Sequence, residues 1–241
     1  MNLHRLRAGT ARIPNHAFSM FTKNSITLQR LQDLVEILPG FSTGSALEHD
    51  DAGTHQMVLS KHLQPGLPYS YTETDAFRIQ PVAEGLGKPR ADIRLRNTER
   101  YELRTADVLF MSRGTRNLAT RLADIPSPSL APVSFFVLRP KSANTVDPAY
   151  LTWYLNSAPM QNDISNIRTG AATPIVQRAV FQELTVPVPD IATQRKIGEV
   201  GELMMRESLM HEQLAAAVAR GHDATSNLIR QQLLMAVHTS N

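Results

Sequence analysis

The sequence contains no cysteine. That excludes a disulfide framework and a thiolate metal cluster, and it fits a reducing cytoplasm. No run of about 18 apolar residues occurs, so no membrane-spanning helix is expected. Arg5, Arg7 and Arg12 have no apolar stretch behind them, which speaks against a secretory signal. Signatures of common chemistry are missing too. There is no Gly-x-x-x-x-Gly-Lys-Ser/Thr phosphate loop. Base methylation would need a glycine-rich cofactor loop and an Asn/Asp-Pro-Pro-aromatic or Pro-Cys signature, and neither is found. Pro189-Asp190 opens like a nuclease motif, but no strand with an acidic-x-Lys pair follows. Asp50-Asp51, with His49 and His55 nearby, lies in a glycine-containing loop where neighbouring carboxylates are usually solvated. The chain therefore reads as non-catalytic, with no metal and no cofactor.

What is present is 241 residues with 42% hydrophobic content, enough for one substantial core or two small ones. A net charge of +3 is mild, so the placement of the charge matters more than its total. The centre of organisation is Leu184 to Ile197. A short apolar strand stops at Pro187 and Pro189, which neither a sheet interior nor a helix accommodates. From Thr193, a candidate cap, the pattern turns helical for about 27 residues. Three parts follow: a leader over 1–27, an α+β body over 28–190, and a C-terminal helical arm over 191–241.

Within the body, apolar residues at 31, 34, 35 and 38 predict a short helix. Met57–Leu59, Asp107–Ser112, Arg121–Ile125 and Val133–Arg139 predict strands. The stretch 64–97, rich in proline and glycine, predicts a long loop of the kind that carries function. Asp147 followed by Pro148 is a strong helix start, and a second helix is expected over Met160–Ile167. Trp153, on the first of these helices, is assigned to the core. Gly170 and Ala171 are assigned to close packing and a helix start.

Six features in order carry a family resemblance: Asp107-Val108-Leu109-Phe110, then Ser112-Arg113-Gly114, then a Phe-rich strand ending at Leu138-Arg139-Pro140. Asp147-Pro148-x-Tyr150-Leu151 with Tyr154-Leu155-Asn156-Ser157 follows, then Gly170-Ala171 with Ile175. Val186-Pro187-x-Pro189 with Gln194-x-x-Ile197 closes the series. Over residues 28–236 this series resembles one target-recognition domain and its trailing helix from a type I restriction–modification DNA specificity subunit. A usual subunit carries two such domains and two spacer helices, so the chain resembles a half-length one. The resemblance implies binding of double-stranded DNA at half of a bipartite site. It also implies docking of a DNA adenine methyltransferase subunit and a restriction subunit. Readings from other classes stay open: a recognition module of another defence assembly, or a protein-interaction adaptor that binds no DNA.

Positive charge concentrates between residues 61 and 121, where a DNA face is expected. Arg113, Arg116 and Asn117 follow a strand on a glycine turn and are favoured for DNA contact over plain loop solvation. Arg94 and Arg96 alternate with apolar residues and serve equally well as the solvated face of a strand. Lys61 and His62 follow a strand, and their two readings are again even. Arg78, Lys88 and Arg90 complete the candidate set. Tyr69, Tyr71 and Phe77 could stack on bases, although aromatics in such a loop more often pin it to the body.

The arm carries an apolar stripe of Ile197, Val200, Leu203, Met204, Met210, Leu214 and Val218, interrupted by Glu207 and His211. Gly221-His222-Asp223 is expected to break it, with Asp223 capping a second helix. A helix of about 27 residues spans roughly 40 Å, longer than a body this size covers, so the stripe is expected to meet a second copy.

Overall fold

A computed structural model describes residues 26–42, 48–64, 66–79 and 98–239. Strands β1 (Thr27–Arg30) and β12 (Thr185–Val188) form an antiparallel ribbon at the root of the arm. A five-stranded sheet has the order β2 (Val35–Pro39), β9 (Phe135–Pro140), β6 (Val108–Met111), β7 (Ala119–Asp124), β4 (Tyr69–Ser70). Beside it lies a smaller sheet of β5 (Arg78–Ile79), β3 (His55–Met57) and β8 (Ser129–Leu130).

The apolar alternation explains the layering. In β6, Val108 and Phe110 join one core cluster and Leu109 joins another, because successive side chains point to opposite faces. The first cluster is roofed by α2 (Pro148–Asn156) and α3 (Ala158–Asn166) through Tyr150, Leu151, Leu155, Met160 and Ile164. Phe181, on the short α4 (Arg178–Phe181), stacks on Phe110 at 4.2 Å between centroids. The second cluster gathers Val58, Tyr69 and Leu103 against the other face. Asp107, only 1% exposed, receives Arg139 at 2.7 and 2.9 Å and the Arg104 amide at 2.8 Å. It thereby ties the start of β6 to the end of β9.

Several sequence expectations hold. Asp147 caps α2, its carboxylate accepting from the Ala149 and Tyr150 amides, with Pro148 in the first turn. Others need correction. The helix expected through Leu38 is the single turn α1 (Leu31–Leu34), and Val35–Pro39 leaves it as a strand because pairing with β9 wins over local periodicity. Gly170 sits at φ +93° in the turn between β10 (Arg168–Thr169) and β11 (Ile175–Val176), and starts no helix. Trp153 remains 37% exposed and packs on the arm instead of the core. The arm itself is one unbroken helix, α5 (Ile191–Thr239), of 49 residues.

Gly221 does not break α5. A helical glycine costs only about 1 kcal/mol, and the alanine-rich run before it contributes strong propensity. Asp190, rather than Thr193, caps the helix: its carboxylate accepts from the Thr193 amide at 3.0 Å and hydroxyl at 2.7 Å.

The first four turns of α5 are seated firmly on the body. Gln194, 1% exposed, accepts from the Asp147 amide and donates to the carbonyls of Thr145 and Pro189. Gly198 lies against Ala149 and Tyr150, and Gly201 against the Trp153 ring. Glu202 accepts from Arg121 at 2.5 Å, and Met205 touches Gly66. Beyond residue 205 the helix runs on for roughly 50 Å, its side chains mostly exposed as far as residue 236. Among the described residues no helix is long and apolar enough to cross a membrane.

Candidate nucleic-acid interface

Strand directions bring several loops to one end of the large sheet. β6 ends there and β7 begins there, so the turn 112–118 caps that end. The Gly66 amide donates to Ala119 at the start of β7, and the Gly40 amide to Phe135 at the start of β9. β3 runs parallel to β8 toward the same end, which carries Ser60–His62 there.

The turn 112–118 is held from several sides. Ser112 donates its amide and hydroxyl to the Ser134 carbonyl, and accepts at its own carbonyl from the Val176 amide. The Gly114 amide donates to Pro174 at 2.8 Å. Gly114 itself adopts φ +98°, a conformation that glycine takes without steric cost, and among the described residues no atom lies within 4 Å of where a Cβ would stand. Arg113 and Arg116 project from this frame, exposed, and among the described residues neither has a carboxylate partner. Two guanidinium forks on a fixed turn suit guanine edges or phosphate oxygens.

The remaining candidates divide. Asn117 is 2% exposed, and its side-chain amide donates to the Met111 carbonyl at 2.8 Å. It closes the turn from inside and does not present itself at the surface; a sequence alone does not separate an Asn that braces a turn from one that reaches outward. Lys61 is exposed, with its ammonium 5.4 Å from the Phe77 ring centroid. His62 is half-buried, and its Nδ1 accepts the Leu59 amide at 3.2 Å. Arg78 is exposed on the small sheet opposite Gln56, and its amide donates to His49. Tyr69 is buried, so it pins its loop to the core. Lys88, Arg90, Arg94 and Arg96 lie outside the described residues. Lys61, His62, Arg113 and Arg116 thus share one end of the body.

Two residues of this site carry no sequence signal. Arg168 reaches across from β10 to the Thr115 carbonyl at 3.0 Å and to the Ser165 hydroxyl. Gln161, on α3, donates to the Asn117 carbonyl at 2.9 Å and to Leu155 at 2.7 Å. Both lie more than 40 residues downstream of the turn, beyond the reach of any local pattern. Among the described residues no group of three or more metal-ligating side chains occurs.

The α+β body thus carries a basic turn at one sheet end and is mounted on a long helix. Residues 93–207 match the family model described as Type I restriction modification DNA specificity domain. No curated protein matches the sequence. Among solved structures, a chain from work on complex assembly and conformational transition of the type I R-M system aligns at 14% identity and a TM-score of 0.56. That alignment covers 80% of this chain and 41% of the other, and it shows a shared fold. The S subunit of a type I restriction-modification system from M. genitalium aligns at 13% identity and TM-score 0.47, covering 74% and 38% of the two chains. The HsdS subunit from Thermoanaerobacter tengcongensis aligns at 15% and 0.49, covering 79% and 39%. The chain spans about two fifths of the length of these structures.

Proposed function

We propose that this chain is a DNA specificity subunit that directs a type I restriction–modification assembly to a bipartite target. The body contacts one half of the site. The arm pairs with a second copy and docks the methyltransferase and restriction subunits, which supply the chemistry. The body over 28–190 is the reading unit and the arm over 191–241 the mounting unit. The observation that carries this reading is the pair of exposed guanidinium groups of Arg113 and Arg116, without a carboxylate partner among the described residues, on a braced turn inside the stretch that matches the type I specificity-domain model. Direct readout needs such forks at base edges, while Lys61 nearby suits phosphate.

Selection of bound duplexes from a random pool tests it. The expected result is a defined sequence whose affinity falls steeply with salt. Binding without sequence preference would sink the reading. In the same preparation, S-adenosylmethionine and labelled duplex should give no methyl transfer until a methyltransferase subunit is added.

A further inference from the structure

The turn that carries Arg113 and Arg116 is held by side chains that lie on other elements. Around it the carbonyls of Met111, Thr115 and Asn117 each accept a side-chain donor, from Asn117, Arg168 and Gln161 respectively. The Gln161 amide bridges two backbone carbonyls, those of Asn117 and Leu155, and so clips the turn to the end of α2. The next strand is clipped as well: Asn156 accepts the Ala119 amide at 2.9 Å and donates to the Ala119 carbonyl at 2.8 Å. Arg168 splits its guanidinium between Thr115 and Ser165, and those bonds hold its fork against the protein.

A loop that adapts to its partner has few such ties and orders itself on binding, at an entropic cost. This turn has that ordering built in. We infer that Gln161 and Arg168 are positioning residues for sequence discrimination: they hold the 112–118 turn in its reading shape without being the groups that read. The inference rests on the proposal that this turn contacts DNA. Discrimination depends on the guanidinium forks meeting base edges at hydrogen-bond geometry, whereas non-specific attraction to phosphates tolerates a displaced turn.

The full chain with Gln161→Leu, which keeps the bulk and removes the donor, tests the clip. Arg168→Lys keeps the charge and removes the fork, and it sits near the surface where folding is not at stake. Affinity is measured for the selected duplex and for a scrambled one across a salt series, with thermal unfolding recorded for each variant. The expected result is a roughly ten-fold loss on the selected duplex per variant, consistent with the loss of one or two backbone-directed hydrogen bonds. Scrambled binding and the salt slope should stay unchanged. Hydrogen exchange of the Gly114 amide, which donates to the Pro174 carbonyl, measured without DNA, should accelerate in both variants. Equal losses on both duplexes, or no loss on either, overturn the inference while leaving the DNA reading intact. So does a turn that already exchanges freely in the unsubstituted chain. If the unsubstituted chain shows no preference between the duplexes, the DNA reading itself falls, and this inference falls with it.

Discussion

Arg116 carries a charge that nothing among the described residues neutralises, on a turn anchored through the Ser112 and Gly114 amides and the Thr115 and Asn117 carbonyls. Its removal therefore disturbs little in the fold, and any effect reports on a partner. Arg116→Ala should leave thermal stability within about 0.5 kcal/mol, as for ordinary surface changes. If Arg116 reads a base, binding to the selected site should weaken by about 1–3 kcal/mol and tolerance should appear at one base position. If it holds a phosphate, all sequences should weaken alike and the salt slope should drop by about one unit. Unchanged affinity together with an unchanged slope would make the turn ordinary surface. Asn117 shows where residue-level reading stops. Its type and position fit an outward amide, yet the Met111 carbonyl six residues back claims it. Which way an Asn points depends on where the strand before the turn ends, and composition does not encode that.

The elements show a similar division between local and distant causes. Asp147-Pro148, the apolar run of β6 and Pro189 just past β12 were legible because each acts within a few residues, whereas Pro187 stops nothing: it lies inside β12 opposite Leu28, in a two-stranded ribbon where a missing amide donor is tolerated. Val35–Pro39 was not, since its strand state comes from pairing with β9 a hundred residues on. The seat of α5 was hidden for the same reason: Gly198 and Gly201 look like helix weaknesses until α2 is placed beside them. A Cβ built on Gly201 would stand 2.4 Å from the Trp153 Cδ1 and 2.8 Å from its Cγ, so the ring base and not only its tip is in the way. Gly201→Ala should therefore cost about 1–3 kcal/mol despite alanine's better helix propensity. In a Trp153→Ala background the same change should become neutral or stabilising by up to about 1 kcal/mol. Chemical denaturation of the four proteins gives the coupling directly. Additive effects would mean that the ring does not define the seat.

At the scale of the whole molecule, the arm presents two sides. At 3.6 residues per turn, Gln194, Gly198, Gly201 and Met205 share the side that meets the body, while Leu203, Met210, Leu214 and Leu228 lie on the opposite one. Ile197 belongs to the first side and packs on the body core, so the free stripe starts at Val200 rather than at Ile197. Val200, Leu203, Met204, Met210, Leu214, Val218, Leu228, Ile229 and Leu233 are all about half to two-thirds exposed. Covering these side chains on two copies buries on the order of 1,500–2,000 Å², the size of a standard stable interface. An antiparallel pairing about a two-fold axis near Ala219 sets Leu214 opposite Ala224, Ala217 opposite Gly221, and Met210 opposite Leu228. In that register the two bodies stand at opposite ends of the paired arms, and a two-fold protein calls for two inverted half-sites with an unread spacer. Leu214→Glu should turn a dimer into a monomer in sedimentation, leave the body's unfolding unchanged, and abolish the gain in affinity from a second half-site. The absence of native cysteine makes the register directly testable. Ala217→Cys combined with Gly221→Cys should cross-link between copies under mild oxidation, whereas Ala217→Cys with Leu233→Cys should not. A monomer at tens of micromolar, the reverse cross-linking pattern, or a selected site without inverted symmetry would each rule out this assembly.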